Sequence, residues 1–199
     1  MIKKLSSVAS IVTFSLCSFA ALNSIAEEQT AIFAGGCFWC TESDFEKLDG
    51  VISAASGYIG GQLKNPTYKQ VSAGGSGHTE AVEVVFDDQT VSYAELVEYF
   101  WKTIDPTDAG GQFCDRGQQY RSEIFYQTEG QRSIAEASKK ALAASGLLAS
   151  AIATKITAAS TFYPAEEYHQ DYYLKNSIRY NYYRWGCGRD KRLEELWGK

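Results

Sequence analysis

The sequence predicts an α+β fold: a two-layer α/β sandwich with a mixed sheet, helices on one or both faces, and a long aromatic carboxyl-terminal tail packed on the surface. Two observations predict the layers: short apolar runs alternate with helix-period segments, and glycine punctuates most of the junctions. A third fixes the class. The 199 residues are 45% hydrophobic and 14% aromatic with only three prolines, too apolar for disorder and too poor in glycine and proline for a fibrous repeat. A formal net charge of -5 gives no broad positive footprint for nucleic acid, and an anionic membrane surface would repel it.

The first segment reads as a leader, not as fold. Lys3 and Lys4 open it, Val8 to Leu22 is uncharged and mostly apolar or small, and Ser24-Ile25-Ala26 offers small residues at a cleavage point. The run is too short for a membrane span of about 20 apolar residues, and the bulky Leu16 before Cys17 speaks against a lipoprotein site. Residues 1–26 are thus expected to be a signal peptide and residues 27–199 a single domain, with 162–199 as its tail. A periplasmic or secreted monomer, free of stable membrane association after cleavage, follows as the expectation. Export sets its four remaining cysteines in an oxidising compartment.

Within the domain, Thr30 to Ala34 is a short apolar run stopped by Gly35-Gly36, a strand and a tight turn. Phe38 to Leu48 has helical spacing and ends at Gly50; Val51 to Ile59 is a second strand. Thr79 to Phe86 is a third, closed by Asp87-Asp88. Ser92 caps a helix over Tyr93 to Thr103, with Leu96, Val97, Phe100 and Trp101 on one face. Ser122 to Gln127 is a strand, Glu129 to Ser145 an alanine-rich helix, and Lys155 to Ala159 a last strand. The order strand–helix–strand–strand–helix–strand is that of a ferredoxin-like core. Two long stretches, Gly57 to Gly77 and Asp105 to Tyr120, are rich in glycine, polar residues and tyrosine, and loops of that length are usually functional. The tail from Phe162 to Trp197 is expected to pack on the surface without adding strands.

Cys37, in Gly35-Gly36-Cys37-Phe38-Trp39-Cys40, falls between a predicted strand and a predicted helix. A thiol there faces the free N–H groups and positive dipole end of the first turn, which favour thiolate. Phe38 and Trp39 supply an apolar wall suited to a methyl or thioether group. The spacing alone also admits a buried inert cysteine, a thioredoxin-type Cys37–Cys40 pair, or a Cys–His hydrolase using His78 or His169. Zinc is the weaker idea, because Cys114, Cys187, His78 and His169 show no second paired spacing. No metal or cofactor is expected.

An ordered set of segments resembles the A-type peptide methionine sulfoxide reductases. It comprises Gly-Gly-Cys37-Phe38-Trp39 with Glu42, Gly57-Tyr58-x-Gly60-Gly61, Asn65-Pro66-Thr67-Tyr68 and Gly77-His78-Thr79-Glu80. It continues with Asp105-Pro106-Thr107, Asp115-Arg116-Gly117-Gln118-Gln119-Tyr120-Arg121-Ser122 and Ala165-Glu166-Glu167-Tyr168-His169-Gln170-Asp171-Tyr172. The resemblance implies that Cys37 attacks the sulfur of a methionine S-sulfoxide in proteins or peptides, giving methionine and a sulfenic acid. It implies that Glu80 protonates the departing oxygen, which a raised pKa would allow. Tyr68 and Tyr120 would donate to the same oxygen, Asp115 would organise polar contacts, and Phe38 and Trp39 would hold the methyl group. His78, Arg121 and His169 are expected to be structural.

Cys187, flanked by Gly186 and Gly188, matches the family's recycling cysteine, so the resemblance implies a Cys37–Cys187 disulfide opened by a thioredoxin-like donor. Two positions depart from the common pattern. Many members carry glycine at Cys40, which offers an alternative resolver here, and asparagine at Cys114, which has no assigned role. Two other classes compete: a thiol–disulfide oxidoreductase, weakened because Pro106 and Pro164 are not preceded by the strand that its usual proline-bearing loop would close, and a non-catalytic binding module, which would keep its ligand after every cysteine became serine.

Overall fold

The computed structural model describes residues 28–198, so the expected leader lies outside the described residues. The chain runs β1 (Glu28–Gly35), α1 (Phe38–Phe45), β2 (Val51–Ile59), α2 (Tyr68–Ser72), β3 (Thr79–Asp87) and α3 (Tyr93–Trp101). It continues through β4 (Gly111–Gln112), β5 (Asp115–Arg116), β6 (Ser122–Tyr126), α4 (Glu129–Ala144), β7 (Lys155–Ala158) and β8 (Tyr163–Pro164). Three helices close the tail: α5 (Tyr172–Lys175), α6 (Ser177–Gly186) and α7 (Arg189–Trp197).

Six strands form one mixed sheet in the order β7-β6-β1-β3-β2-β8. The central four, β6-β1-β3-β2, are antiparallel and have the split βαβ order expected of a ferredoxin-like core. Chain β6–α4–β7 adds one parallel strand through a helical crossover. Helix starts follow local chemistry. Ser92 accepts from Glu95 N–H at 3.3 Å while its own N–H donates to Glu95 Oε2 at 2.8 Å, a capping box worth about 1 kcal/mol.

The main core lies between the sheet and the helices. Phe33, Val82, Val84 and Phe86 from the strands meet Phe45, Leu96, Val97 and Phe100, all buried. Phe33 stacks on Phe45 and Phe100 at 4.8 and 5.0 Å. The other sheet face is thinner: Ile32, Ala34, Ile59, Ala81 and Phe125 are covered by Ala159 and Phe162. Gly57 makes that cover possible, since a Cβ there would sit 2.3 Å from the Phe162 ring.

The tail does more than the sequence suggests. Its Tyr163–Pro164 pairs with Gly57 and Tyr58 as a short edge strand, because β2 has a free edge there. The Gly57–Gly77 stretch also contains α2, and the Asp105–Tyr120 stretch contains the β4–β5 hairpin. Both elements are too short for a hydrophobic period to reveal. No helix among the described residues is long and apolar enough to cross a membrane.

Candidate active site

The turn from β1 into α1 creates the site. Gly36 has φ +86, and a Cβ there would lie 2.6 Å from Gln112 Cβ, so only glycine fits. Cys37 is the N-cap of α1: its carbonyl accepts from the N–H groups of Cys40 and Thr41 at 3.1 and 3.2 Å, and its thiol makes no cap bond. The next free donor, Phe38 N–H, goes to Glu80 Oε2 at 3.0 Å. Glu80 reaches it from the start of β3, opposite Tyr58.

A cavity of about 70 Å³ is lined by Cys37, Phe38, Trp39, Glu80, Tyr68, Tyr120, Asp115 and Tyr183. Five segments separated in sequence meet here. Tyr68 comes from the first residue of α2, whose N–H donates to Glu166 Oε1 at 2.9 Å; Tyr58 donates to the other Glu166 oxygen at 2.8 Å. Trp39 is fixed on two sides, stacked on Tyr172 at 3.7 Å and donating through Nε1 to His169 Nδ1 at 3.1 Å. Tyr183 donates to Asp115 Oδ2 at 2.5 Å, and both line the cavity beside Cys37.

Burial governs the electrostatics. Glu80 is 2% exposed, and desolvation pushes its carboxyl up to about 8 against the pull of the Phe38 N–H. It is therefore protonated at neutral pH, facing the cavity as a donor. Burial also raises Asp115, which Tyr183 and Arg189 partly oppose. Tyr68 is pushed up to about 12 and Tyr120 upward as well, by burial first and then by Glu80, so both stay neutral donors.

The expected thiolate at Cys37 needs correction. Cys37 is 5% exposed, and burial, then contact with Cys40 and the charges of Glu80 and Asp115, hold its thiol well above the usual range. The helix donor that would have favoured its anion is taken by Glu80. The low thiol is Cys40, brought to about 7 by the neighbouring Cys37 thiol against its own burial, with Arg189 and Arg184 assisting.

The expected Cys37–Cys187 disulfide is not the one present. Cys187 is bonded to Cys114, while Cys37 and Cys40 are free thiols. The β4–β5 turn brings Cys114 to the end of α6, where its N–H donates to Cys187 Sγ at 3.1 Å. That disulfide stands at the rim of the cavity, with Cys187 Sγ 4.0 Å from Asp115 Oδ2. Bonded to each other, the two sulfurs give the Cys114–Asp115–Cys187 cluster no thiolate with which to hold a metal.

The sequence model of the peptide methionine sulfoxide reductases matches residues 29–199. The chain belongs to that family. It is 50% identical over 173 residues to peptide methionine sulfoxide reductase MsrA of Bacillus licheniformis, covering 87% of this chain and 96% of the relative. Its fold is similar to that of Mxr1 from Saccharomyces cerevisiae in reduced form, with a TM-score of 0.69 and 31% identity over 76% of this chain and 87% of that one. The structure of Mxr1 in complex with Trx2 is alike in fold alone, with a TM-score of 0.51 and 23% identity over 75% and 91% of the two chains.

All of the expected pocket residues of this reductase family chain line one cavity: Cys37, Phe38, Trp39, Tyr68, Glu80, Asp115 and Tyr120. Cys40 lies behind Cys37, and Cys187 at the rim. His78 is structural, as expected. Its Nδ1 accepts from Gly61 N–H at 3.2 Å, which leaves Nε2 to donate to Leu63 O at 2.8 Å. Arg121 likewise serves Glu123, Gly77 O and Gln118 O. The sequence argument missed Tyr183. A helical signal was available: Tyr183 and Cys187 are four residues apart on one face of α6, which turns both toward the site. It also missed Glu166 as the anchor of Tyr68.

Proposed function

We propose that this protein reduces methionine S-sulfoxide in exported proteins and peptides to methionine, with Cys37 as nucleophile and Glu80 as acid. One observation carries the proposal: a buried thiol and a buried carboxyl that is protonated at neutral pH share one cavity with an aromatic wall. Phe38 and Trp39 accept the methyl group, and the oxygen points to Glu80, Tyr68 and Tyr120. Cys37 passes its proton to the Cys40 thiolate and attacks the sulfoxide sulfur. That attack forms a Cys37–substrate S–S bond; Glu80 gives its proton to the oxygen, the S–O bond breaks, the released hydroxyl oxygen adds to the Cys37 sulfur, and the S–S bond breaks, so that methionine leaves and Cys37 remains as a sulfenic acid.

Cys40 then attacks the Cys37 sulfur, water departs with a proton from the site, and a Cys37–Cys40 disulfide forms. Support comes from the contact between the two thiols and from the Cys40 pKa of about 7, which suits both attack and later departure. Reduced Cys187 displaces Cys40 from Cys37, and Cys114 displaces Cys37 from Cys187. The product is the pair of free thiols and the rim disulfide described above. A thioredoxin-like dithiol restores the rim pair, in keeping with the Mxr1 complex with Trx2. In a second scheme Cys187 resolves the sulfenic acid directly, favoured by its place at the rim 4.0 Å from Asp115.

The leader-like Met1 to Ala26 supports action outside the cytoplasm. A single-turnover assay with separated epimers and all four domain cysteines reduced tests the chemistry. Wild type forms methionine from the S epimer only, and Cys37→Ser forms none; turnover by that variant ends the proposal. In Cys40→Ser, accumulation of a sulfenic acid supports Cys40 as resolver, and an undelayed Cys37–Cys187 disulfide supports the second scheme.

A further inference from the structure

Helix α6 has apolar residues on two faces where packing on the domain needs one. Its inward row ends at Cys187 and includes Tyr180, which is buried, and Tyr183, which lines the cavity. Its outward row, Ile178, Tyr182 and Trp185, follows i, i+4, i+7 spacing and is 88%, 74% and 77% exposed. The Tyr182 and Trp185 rings lie 6.2 Å apart, so the stripe is continuous. Large aromatic side chains exposed together mark an interaction surface, and tryptophan and tyrosine are the usual anchors there.

We propose that this outward stripe is the docking surface for the protein dithiol that reduces Cys114–Cys187, an inference that rests on the rim disulfide being the outlet for oxidising equivalents. Three features select that occupant. The inner sulfurs are 5% and 2% exposed, out of reach of a folded partner, whereas Cys114 is exposed and available for attack. Trp185 lies two residues from Cys187, and the stripe extends about 10 Å along the helix from there. A weak redox encounter covers up to about 600 Å² of each partner, so residues beside the disulfide, such as Trp185, fall within reach of a protein that brings a sulfur to Cys114. Finally, the stripe faces away from the cavity, since Tyr183 looks inward and Tyr182 outward, so it is poorly placed to guide a substrate polypeptide into the site.

The chemistry is two-electron exchange. One partner thiolate bonds to Cys114 Sγ and expels Cys187 as thiolate. The second partner thiol then displaces Cys114, leaving a partner disulfide and two reduced cysteines here.

The test is a variant carrying Ile178→Ser, Tyr182→Ser and Trp185→Ser, assayed with an oxidised-methionine peptide. Thioredoxin with its reductase is compared with dithiothreitol as reductant. The expected result is a KM for thioredoxin raised at least about tenfold, with dithiothreitol-driven turnover and the peptide KM within about twofold of wild type. An unchanged thioredoxin KM overturns the docking surface, as does a rise in the peptide KM or a loss of dithiothreitol turnover. Full thioredoxin-dependent turnover by Cys114→Ser overturns the rim-outlet assignment and the surface with it. Failure of the surface alone is recognised by loss of thioredoxin turnover in Cys114→Ser while the triple variant behaves as wild type.

Discussion

Replacing Glu80 by glutamine separates the two consequences of burying a carboxyl. Glu80 is 2% exposed and receives one backbone donor, Phe38 N–H, so its pKa stands at about 8 in the folded protein. In the unfolded chain a glutamate titrates near about 4.3. Between those values the folded state binds one more proton than the unfolded state. Stability therefore falls by about 1.4 kcal/mol for each pH unit climbed, a contribution that is fully present below the unfolded pKa and gone above the folded one. Glutamine keeps the acceptor for Phe38 and fills the protonated position with an amide, and it does not titrate. Urea unfolding of wild type and Glu80→Gln at pH 5, 6, 7 and 8, with Cys114–Cys187 intact in both, reads the difference. The variant's stability should fall less steeply by about 1.4 kcal/mol per pH unit, reaching an advantage of several kcal/mol at pH 8. Glu42, buried and raised to about 7, contributes equally to both proteins and cancels. The same variant should lose about 10²- to 10⁴-fold in the chemical step. Parallel stability curves would refute the reasoning, because they would mean that Glu80 holds no extra proton in the fold.

The single-turnover rate should rise with pH through about 7, as Cys40 becomes the proton acceptor, and fall above about 8, as Glu80 loses its proton; rapid-quench measurement from pH 6 to 9.5 checks both limbs. Tyr68→Phe with Tyr120→Phe should lower that rate by about 10²-fold through loss of donors to the developing oxyanion, with the fold intact by circular dichroism. Gly36→Ala should cost about 2 kcal/mol or more, because its φ of +86 disfavours a side chain and Gln112 occupies the space; denaturant titration measures it. Ser92→Ala should cost about 1 kcal/mol by the same method, through loss of the α3 cap.

The strands and helices of the core were legible because their apolar runs are long enough to count: β3 carries Ala81, Val82, Val84, Val85 and Phe86, and α3 repeats Leu96, Val97, Phe100 and Trp101. The short elements were not. Helix α2 is five residues held by Glu166, a contact across 98 positions of sequence that no local pattern records. The site residues came from ordered motifs, not from physics at each position, since thirteen tyrosines offer no choice by composition. The error at Cys37 is instructive. Its place at the start of α1 was right, but helix position alone ignores which group takes the first N–H and how deeply the thiol is buried. The Cys114–Cys187 pairing lay beyond local reading, because it depends on a two-strand hairpin meeting the end of α6.

The tail completes what the amino-terminal third begins. Glu42, buried on α1, accepts from Asp171 N–H at 3.0 Å, Trp39 leans on Tyr172, and buried Arg189 donates to Gly35 O at 3.2 Å. At ribosomal speeds of about 5–20 residues per second, some tens of seconds at the slow end separate the emergence of Cys37 from that of its last covering residues. During that interval the residues that will cover the inner sulfurs are absent. A chain truncated before this tail would therefore carry thiols open to solvent that the finished molecule conceals.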